Sequence, residues 1–191
     1  MKLVFATHNE NKVKEVKSLL PPNFEILSLN DIGCFDEIPE ISKTIEGNAK
    51  LKAAYVKTNF GLDCFADDTG LVVPALNNEP GVYSARYAGP NKNALDNINK
   101  LLTNLHNINN RAAYFKTVIA LALSSDTKLF TGICKGTIVS EKKGNLGFGY
   151  DPIFQPNNFK QTFAEITLEQ KNKIGHRGKA VRLLIDYLSK I

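Results

Sequence analysis

Apolar residues in this chain fall into runs, alternations and helical spacings, and the switches between them mark its elements. Residues 2 to 6 (KLVFA) form an unbroken apolar run, as a buried strand does. Val13, Val16, Leu19 and Leu20 then recur at helical spacing until Pro21 and Pro22 stop the helix. A second helix is predicted from a Thr44 cap through Ala49, Ala53, Ala54 and Val56 toward Gly61. It delivers the chain to a second apolar run, Leu62, Cys64, Phe65 and Ala66, a strand expected to end at Asp67 and to pass into a Thr69-Gly70 turn.

Leu71, Val72 and Val73 precede Pro74 and a turn-rich stretch from Asn77 to Gly81. Leu95, Ile98, Leu101, Leu102 and Leu105 then mark a third amphipathic helix. Residues 111 to 123 alternate, with Ala113, Phe115, Ile119, Leu121 and Leu123 on one face. Residues 128 to 139 alternate again after Ser124, Ser125 and Asp126, which predicts a long antiparallel hairpin. Glycines 144, 147 and 149, with Asp151 and Pro152, form a loop carrying Phe148 and Tyr150. The closing helix turns Ala180, Leu183, Leu184, Tyr187 and Leu188 to a core. Helices and strands interleave, so the expected class is α/β, a mixed, partly antiparallel sheet with flanking helices.

Composition narrows the setting. At 191 residues, 43% hydrophobic and 23% charged, the chain has the balance of a globular protein, and residues 1–191 are expected to form one domain. No apolar run approaches the roughly 20 residues that span a bilayer. Leu3 to Ala6 is interrupted by His8, Asn9 and Glu10 well short of a secretory core, so no export signal is expected. Cys34, Cys64 and Cys134 are odd in number and widely spaced, which fits neither a disulfide framework nor a zinc pattern and points to a reducing cytoplasm. A net charge of +5 suits a polyanion, either a nucleic acid or a nucleoside triphosphate. The basic residues are dispersed, and no nucleic-acid module is recognisable.

Four segments carry candidate chemistry beside Asp67 and Asp68, whose paired carboxylates suit a metal ion, a general base or both, while Asp-Thr-Gly is equally ordinary turn chemistry. Thr7, His8, Asn9, Glu10, Asn11 and Lys12 lie between the first strand and the first helix, where N–H groups, a hydroxyl, an amide and an ammonium can take phosphate oxygens. The alternative there is a capped helix start. Glu40 can join Asp68 around a hard cation with Lys52 nearby, or be a solvated charge. Phe148, Gly149, Tyr150 and Asp151 offer an aromatic face and an acceptor to a flat ring, or a plug under a glycine loop. Lys171, His176 and Arg177 offer donors, or surface charge.

In this order the segments resemble the inosine triphosphate pyrophosphatase family, the dITP/XTP pyrophosphatases. The matching stretches are THNENK at 7 to 12, EGNAKLKA at 46 to 53, FADDTGL at 65 to 71, EPGVYSARYAG at 79 to 89, GFGYDPIF at 147 to 154 and HRGKA at 176 to 180, nearly end to end. The resemblance implies an elongated α/β fold with two lobes around a nucleotide cleft. It also implies Mg²⁺-dependent hydrolysis of dITP, ITP and XTP to monophosphate and pyrophosphate by a homodimer. By motif position, Thr7 to Lys12 and Lys52 hold the triphosphate, Glu40 and Asp68 the metal, and Asp68 activates water with Thr69 touching substrate. Phe148 to Asp151, Lys171, His176 and Arg177 form the base pocket. Asp67 is left as either a metal ligand or a residue behind the ligands. Gly175 departs from the family, many of whose members place serine there.

Two other readings stay open on sequence. A related pyrophosphatase for modified pyrimidine nucleotides would share the phosphate machinery, and a non-catalytic binder would follow from the basic charge alone.

Overall fold

The computed structural model describes residues 1–123 and 126–191, so the expected turn at Ser124 and Ser125 lies outside the described residues. Its elements in chain order are β1 (Lys2–Phe5), α1 (Glu10–Lys17), β2 (Glu25–Leu27), α2 (Ile45–Phe60), β3 (Cys64–Val73), β4 (Glu79–Pro80), α3 (Ala94–Asn104), β5 (Ala112–Leu123), β6 (Asp126–Ile138), β7 (Phe154–Pro156), α4 (Leu168–Ile174) and α5 (His176–Leu188). The strands form one mixed sheet in the order β2-β1-β3-β5-β6-β7, with β4 on β3. β1 pairs in parallel with β2 and β3, and β6 pairs antiparallel with β7. Ile138, the last residue of β6, donates to the Arg111 carbonyl just before β5, so those two strands run antiparallel as expected. The class is the α/β fold with a mixed sheet and flanking helices that the pattern predicts.

The chain divides into two compact units, the first formed by Met1–Asp68, Thr117–Gly132 and Arg177–Ile191, the second by Thr69–Lys116 and Ile133–His176. The core of the first gathers Leu3, Phe5, Val13, Val16, Phe65, Ile119, Leu121, Val181 and Leu184, with Phe5 stacked on Phe65 at 4.6 Å across the β1–β3 pairing. The core of the second gathers Leu71, Val73, Ile98, Leu101, Phe115, Ile138, Ile153, Phe154 and Phe163. β5 shows the change between them. Burial alternates through its second-unit portion and becomes continuous from Thr117 to Ala122, where both faces are covered.

Several boundaries differ from expectation. β3 does not end at Asp67 but runs on to Val73; Gly70 keeps an ordinary strand backbone, and the Leu71 N–H is taken by the Ser84 hydroxyl at 2.9 Å. The Asp-Thr-Gly turn is therefore absent, because burial on both faces continues past the two carboxylates. α1 stops at Lys17, so Leu19 and Leu20 pack from the turn beyond it. In α5 Leu183 is exposed and Val181 takes the buried position. α2 follows its pattern closely: Thr44 caps it, accepting from the Gly47 N–H at 3.0 Å, and Gly61 closes it at φ 67°, a conformation glycine adopts at little cost.

Candidate active site

Strand alternation sends the side chains of Asp67 and Asp68 to opposite faces of β3, Asp67 toward α1 and α5 and Asp68 toward α2. Asp67 is fully buried. Its Oδ1 accepts from Lys12 Nζ at 2.9 Å, and its Oδ2 faces Arg177 Nε and Nη2, both at 3.0 Å. Arg177 Nη1 is ion-paired with Glu15 of α1. Asp68 faces α2, where Asn48 and Lys52 share one side of the helix at i, i+4 spacing. Lys52 Nζ lies 3.4 Å from Asp68 Oδ1 and 2.6 Å from Glu40 Oε1, and Asn48 Nδ2 lies 3.5 Å from Asp68 Oδ2. Asn48 also accepts from the Ser42 N–H at 2.9 Å, which ties the segment carrying Glu40 to α2.

The electrostatics follow from burial and partners. Burial opposes the charge on Asp67, but Lys12, Arg177 and Lys52 outweigh it and hold the carboxyl far below its usual range. Asp68 moves the other way: burial raises it, with Glu40 and Asp67 adding to the rise against Lys52 and Lys12. Burial lowers Lys12 despite Asp67. Lys52, burial notwithstanding, is raised by Asp68, Glu40 and Asp67.

Three cations (Lys12, Lys52, Arg177) thus meet four carboxylates (Glu15, Glu40, Asp67, Asp68). Among the described residues no group of three or more His, Cys, Asp or Glu side chains forms a ready metal cage. Two carboxylates that converge on Lys52, Glu40 and Asp68, nonetheless fit Mg²⁺, which binds through one or two carboxylates and takes its remaining oxygens from water and phosphate.

The segment before α1 is pre-ordered. The Asn9 side chain accepts from the N–H groups of Asn11 and Lys12 at 3.0 and 3.2 Å, Thr7 Oγ1 accepts from the Asn9 N–H at 3.2 Å, and His8 Nε2 lies 3.0 Å from the Asp36 carbonyl. His8, Asn9, Glu10 and Asn11 are exposed around this start. The capped helix start and the candidate phosphate segment are the same structure.

In the second unit the glycine loop wraps one ion pair. Asp151 Oδ2 accepts from the Phe148 N–H at 2.8 Å and from Lys171 Nζ at 2.5 Å, while that ammonium stands 4.9 Å from the Phe148 ring centroid and 5.4 Å from that of Phe163. Gly147, at φ 71°, leaves room for the Asp151 carboxylate, into which a Cβ would run. Tyr150 is buried with its hydroxyl donating to the Ser84 carbonyl at 2.9 Å, and burial pushes its pKa up. Phe148 and Gly149 are half-buried, as is Thr69 in β3. His176 stacks on Phe115 at 4.4 Å. A Cβ at Gly175 would lie 2.6 Å from the Lys171 carbonyl, so glycine suits the direct passage from α4 into α5.

Lys171, Asp151 and Phe148 are therefore brought together, whereas Arg177, one residue after His176, belongs to the first unit and pairs with Asp67 and Glu15. Sequence reasoning missed Glu15 and Asn48. Each had a signal: Glu15 lies one turn after Lys12 and Asn48 one turn before Lys52, on the faces those lysines use.

Known proteins resemble this chain along nearly its whole length. The family model described as the Ham1 family matches residues 3–187. The chain is 64% identical to a dITP/XTP pyrophosphatase of Flavobacterium johnsoniae, over 99% of this chain and 98% of that one. It is 60% identical to one of Flavobacterium psychrophilum, over 98% of each. The Staphylococcus aureus Ham1 protein superposes with a TM-score of 0.91 at 39% identity, over 100% of this chain and 99% of that one. With buried acid–base pairs set in this strand order and relatives matching from end to end, the chain belongs to the Ham1 family.

Proposed function

We propose that this chain hydrolyses the non-standard purine nucleoside triphosphates dITP, ITP, XTP and dXTP to nucleoside monophosphate and pyrophosphate, clearing deaminated purines from the nucleotide pool. The observation that carries the reading is the first-unit cluster, where Asp68 and Glu40 converge on Lys52 beside Lys12. It stands in a chain 64% identical to a dITP/XTP pyrophosphatase.

Glu40 and Asp68 would hold Mg²⁺, which when bound neutralises charge on the triphosphate. Lys12 and Lys52 offset the remaining phosphate charge, and Thr7, His8, Asn9, Glu10 and Asn11 line the phosphate tail. Asp68 orients a water for in-line attack at the α-phosphate and takes its proton; a carboxyl raised by burial is a better proton acceptor than an exposed one. Thr69 touches substrate. Phe148 and Gly149 offer the base a flat approach, with Tyr150, Asp151, Lys171 and His176 fixing the loop and aromatic layer behind them. The 6-oxo oxygen of hypoxanthine accepts from donors such as the Arg177 guanidinium or backbone N–H groups. Adenine, with an amino donor there, leaves those groups unpaired, a mismatch worth about 10⁴-fold or more.

The same reading makes the protein a cytoplasmic homodimer working as one domain over residues 1–191, with neither a membrane nor a stable nucleic-acid partner. Three buried, free cysteines suit that compartment, and no helix among the described residues is long and apolar enough to cross a membrane. Product analysis tests the chemistry. With Mg²⁺, dITP should give dIMP and pyrophosphate in equal amounts; dIDP and inorganic phosphate would overturn the reading.

A further inference from the structure

Of the stretches that match the family, residues 79 to 89 alone have no assigned role. Their centre is Ser84, 8% exposed, in a short 3₁₀ turn, Gly81–Arg86. β4 ends at Pro80, and Gly81 turns the chain away from the β3–β4 ladder at φ 53°. The Ser84 hydroxyl accepts from the Leu71 N–H of β3 at 2.9 Å. An N–H can only donate, so the hydroxyl proton points elsewhere, and the Gly81 carbonyl accepts it with the two oxygens 2.6 Å apart. From α3, the buried Asn97 holds the residues that follow, donating to the Ala85 carbonyl at 3.0 Å and accepting from the Ala88 N–H at 2.7 Å. The turn is thus fixed to β3 on one side and to α3 on the other. It presents the Ser84 carbonyl to the buried Tyr150 hydroxyl at 2.9 Å.

We infer that Ser84 is a positioning residue for base recognition: its hydroxyl fixes the turn on β3, and its carbonyl sets where Tyr150, and with it the adjoining Phe148 and Gly149, stands. Asp151 ties the same loop through the Phe148 N–H, so the Tyr150 hydroxyl supplies a second anchor, from a residue 66 positions away. The inference rests on the reading that this loop receives the base, and it adds a residue that acts through Tyr150 rather than by touching the substrate.

Two probes divide the substrate: dIMP carries the base, and inorganic pyrophosphate has none. Calorimetric binding of each, the pyrophosphate with Mg²⁺, is measured for the wild type, Ser84→Ala, Tyr150→Phe and the double variant, with thermal unfolding of each. Ser84→Ala and Tyr150→Phe should each weaken dIMP binding about three- to tenfold, the scale of one neutral hydrogen bond, and leave pyrophosphate binding as in the wild type. The double variant should lose less than the product of the two single losses, because both act on one line of contacts. Tyr150→Phe keeps the ring, so it carries the test should Ser84→Ala not fold. Folded variants with wild-type dIMP binding, whatever their melting temperature, would overturn the inference and leave Ser84 a packing residue. Losses that fall equally on both probes, or that multiply in the double variant, would overturn it as well, and so would a wild type that binds no dIMP. Binding of dIMP that depends on Ser84 in a chain that hydrolyses no dITP would leave the inference standing and sink the proposed function.

Discussion

Buried charge is handled differently in the two units. The first gathers Lys12, Glu15, Glu40, Lys52, Asp67, Asp68 and Arg177, three cations against four carboxylates, with Asp67 held far below its usual pKa and Asp68 raised above it. The second holds one pair, Lys171 with Asp151, between the rings of Phe148 and Phe163. On the proposed reading, the first cluster takes a further cation and a polyanion together. The second pair lies against aromatic rings, and Asp151 accepts from the glycine loop's own Phe148 N–H. On the same reading, charge chemistry and base recognition rest on separate sets of residues, and they should fail separately.

Asp68→Asn should produce the largest effect, a fall in kcat of about 10²- to 10⁴-fold, the usual range for removing a general base. Its melting temperature should not fall, since burial already disfavours that charge. A variant retaining substantial turnover would remove Asp68 from the reaction. The counterpart in the second unit is Asp151→Asn, which removes the charge opposite the buried Lys171 ammonium and should cost about 3–5 kcal/mol in denaturant titrations, much more stability than Asp68→Asn. Equal stability losses would erase the contrast between the clusters.

A smaller effect separates the two adjacent aspartates by pH. Because the folded pKa of Asp67 is depressed, its stabilising contribution is fully present above the ordinary value of 3.8 and lost as pH falls toward the folded value. The stability gap between the wild type and Asp67→Asn should therefore be constant near neutrality and narrow in acid, as followed by melting temperature. A gap that widened in acid would reverse the assigned direction. Smallest of all, Thr44→Ala removes the cap of α2 and should cost about 1 kcal/mol while leaving kcat intact.

Much of this was legible in the residues. Periodicity placed α2, α3 and the paired strands β5 and β6 because their apolar positions recur at the helical or strand period, and the glycine loop was marked by Gly147 and Gly149, whose positive φ the fold requires. Short elements escaped. β2, β4 and β7 span two or three residues, too few to show a period, and α4 carries little apolar signal. β3 was cut short because Asp-Thr-Gly has turn chemistry locally, and only burial on both faces keeps it extended. The site residues were named mostly by motif, but their partners were not. Arg177 sits beside His176 in sequence, yet its pairing with Asp67, 110 residues away, is a fact of tertiary structure.

The most direct test is pyrophosphate release from dITP, XTP, dGTP and dATP measured in parallel, with and without Mg²⁺. Hydrolysis that requires Mg²⁺ and strongly favours dITP and XTP is the predicted result. Equal turnover of all four, or hydrolysis indifferent to Mg²⁺, would contradict it.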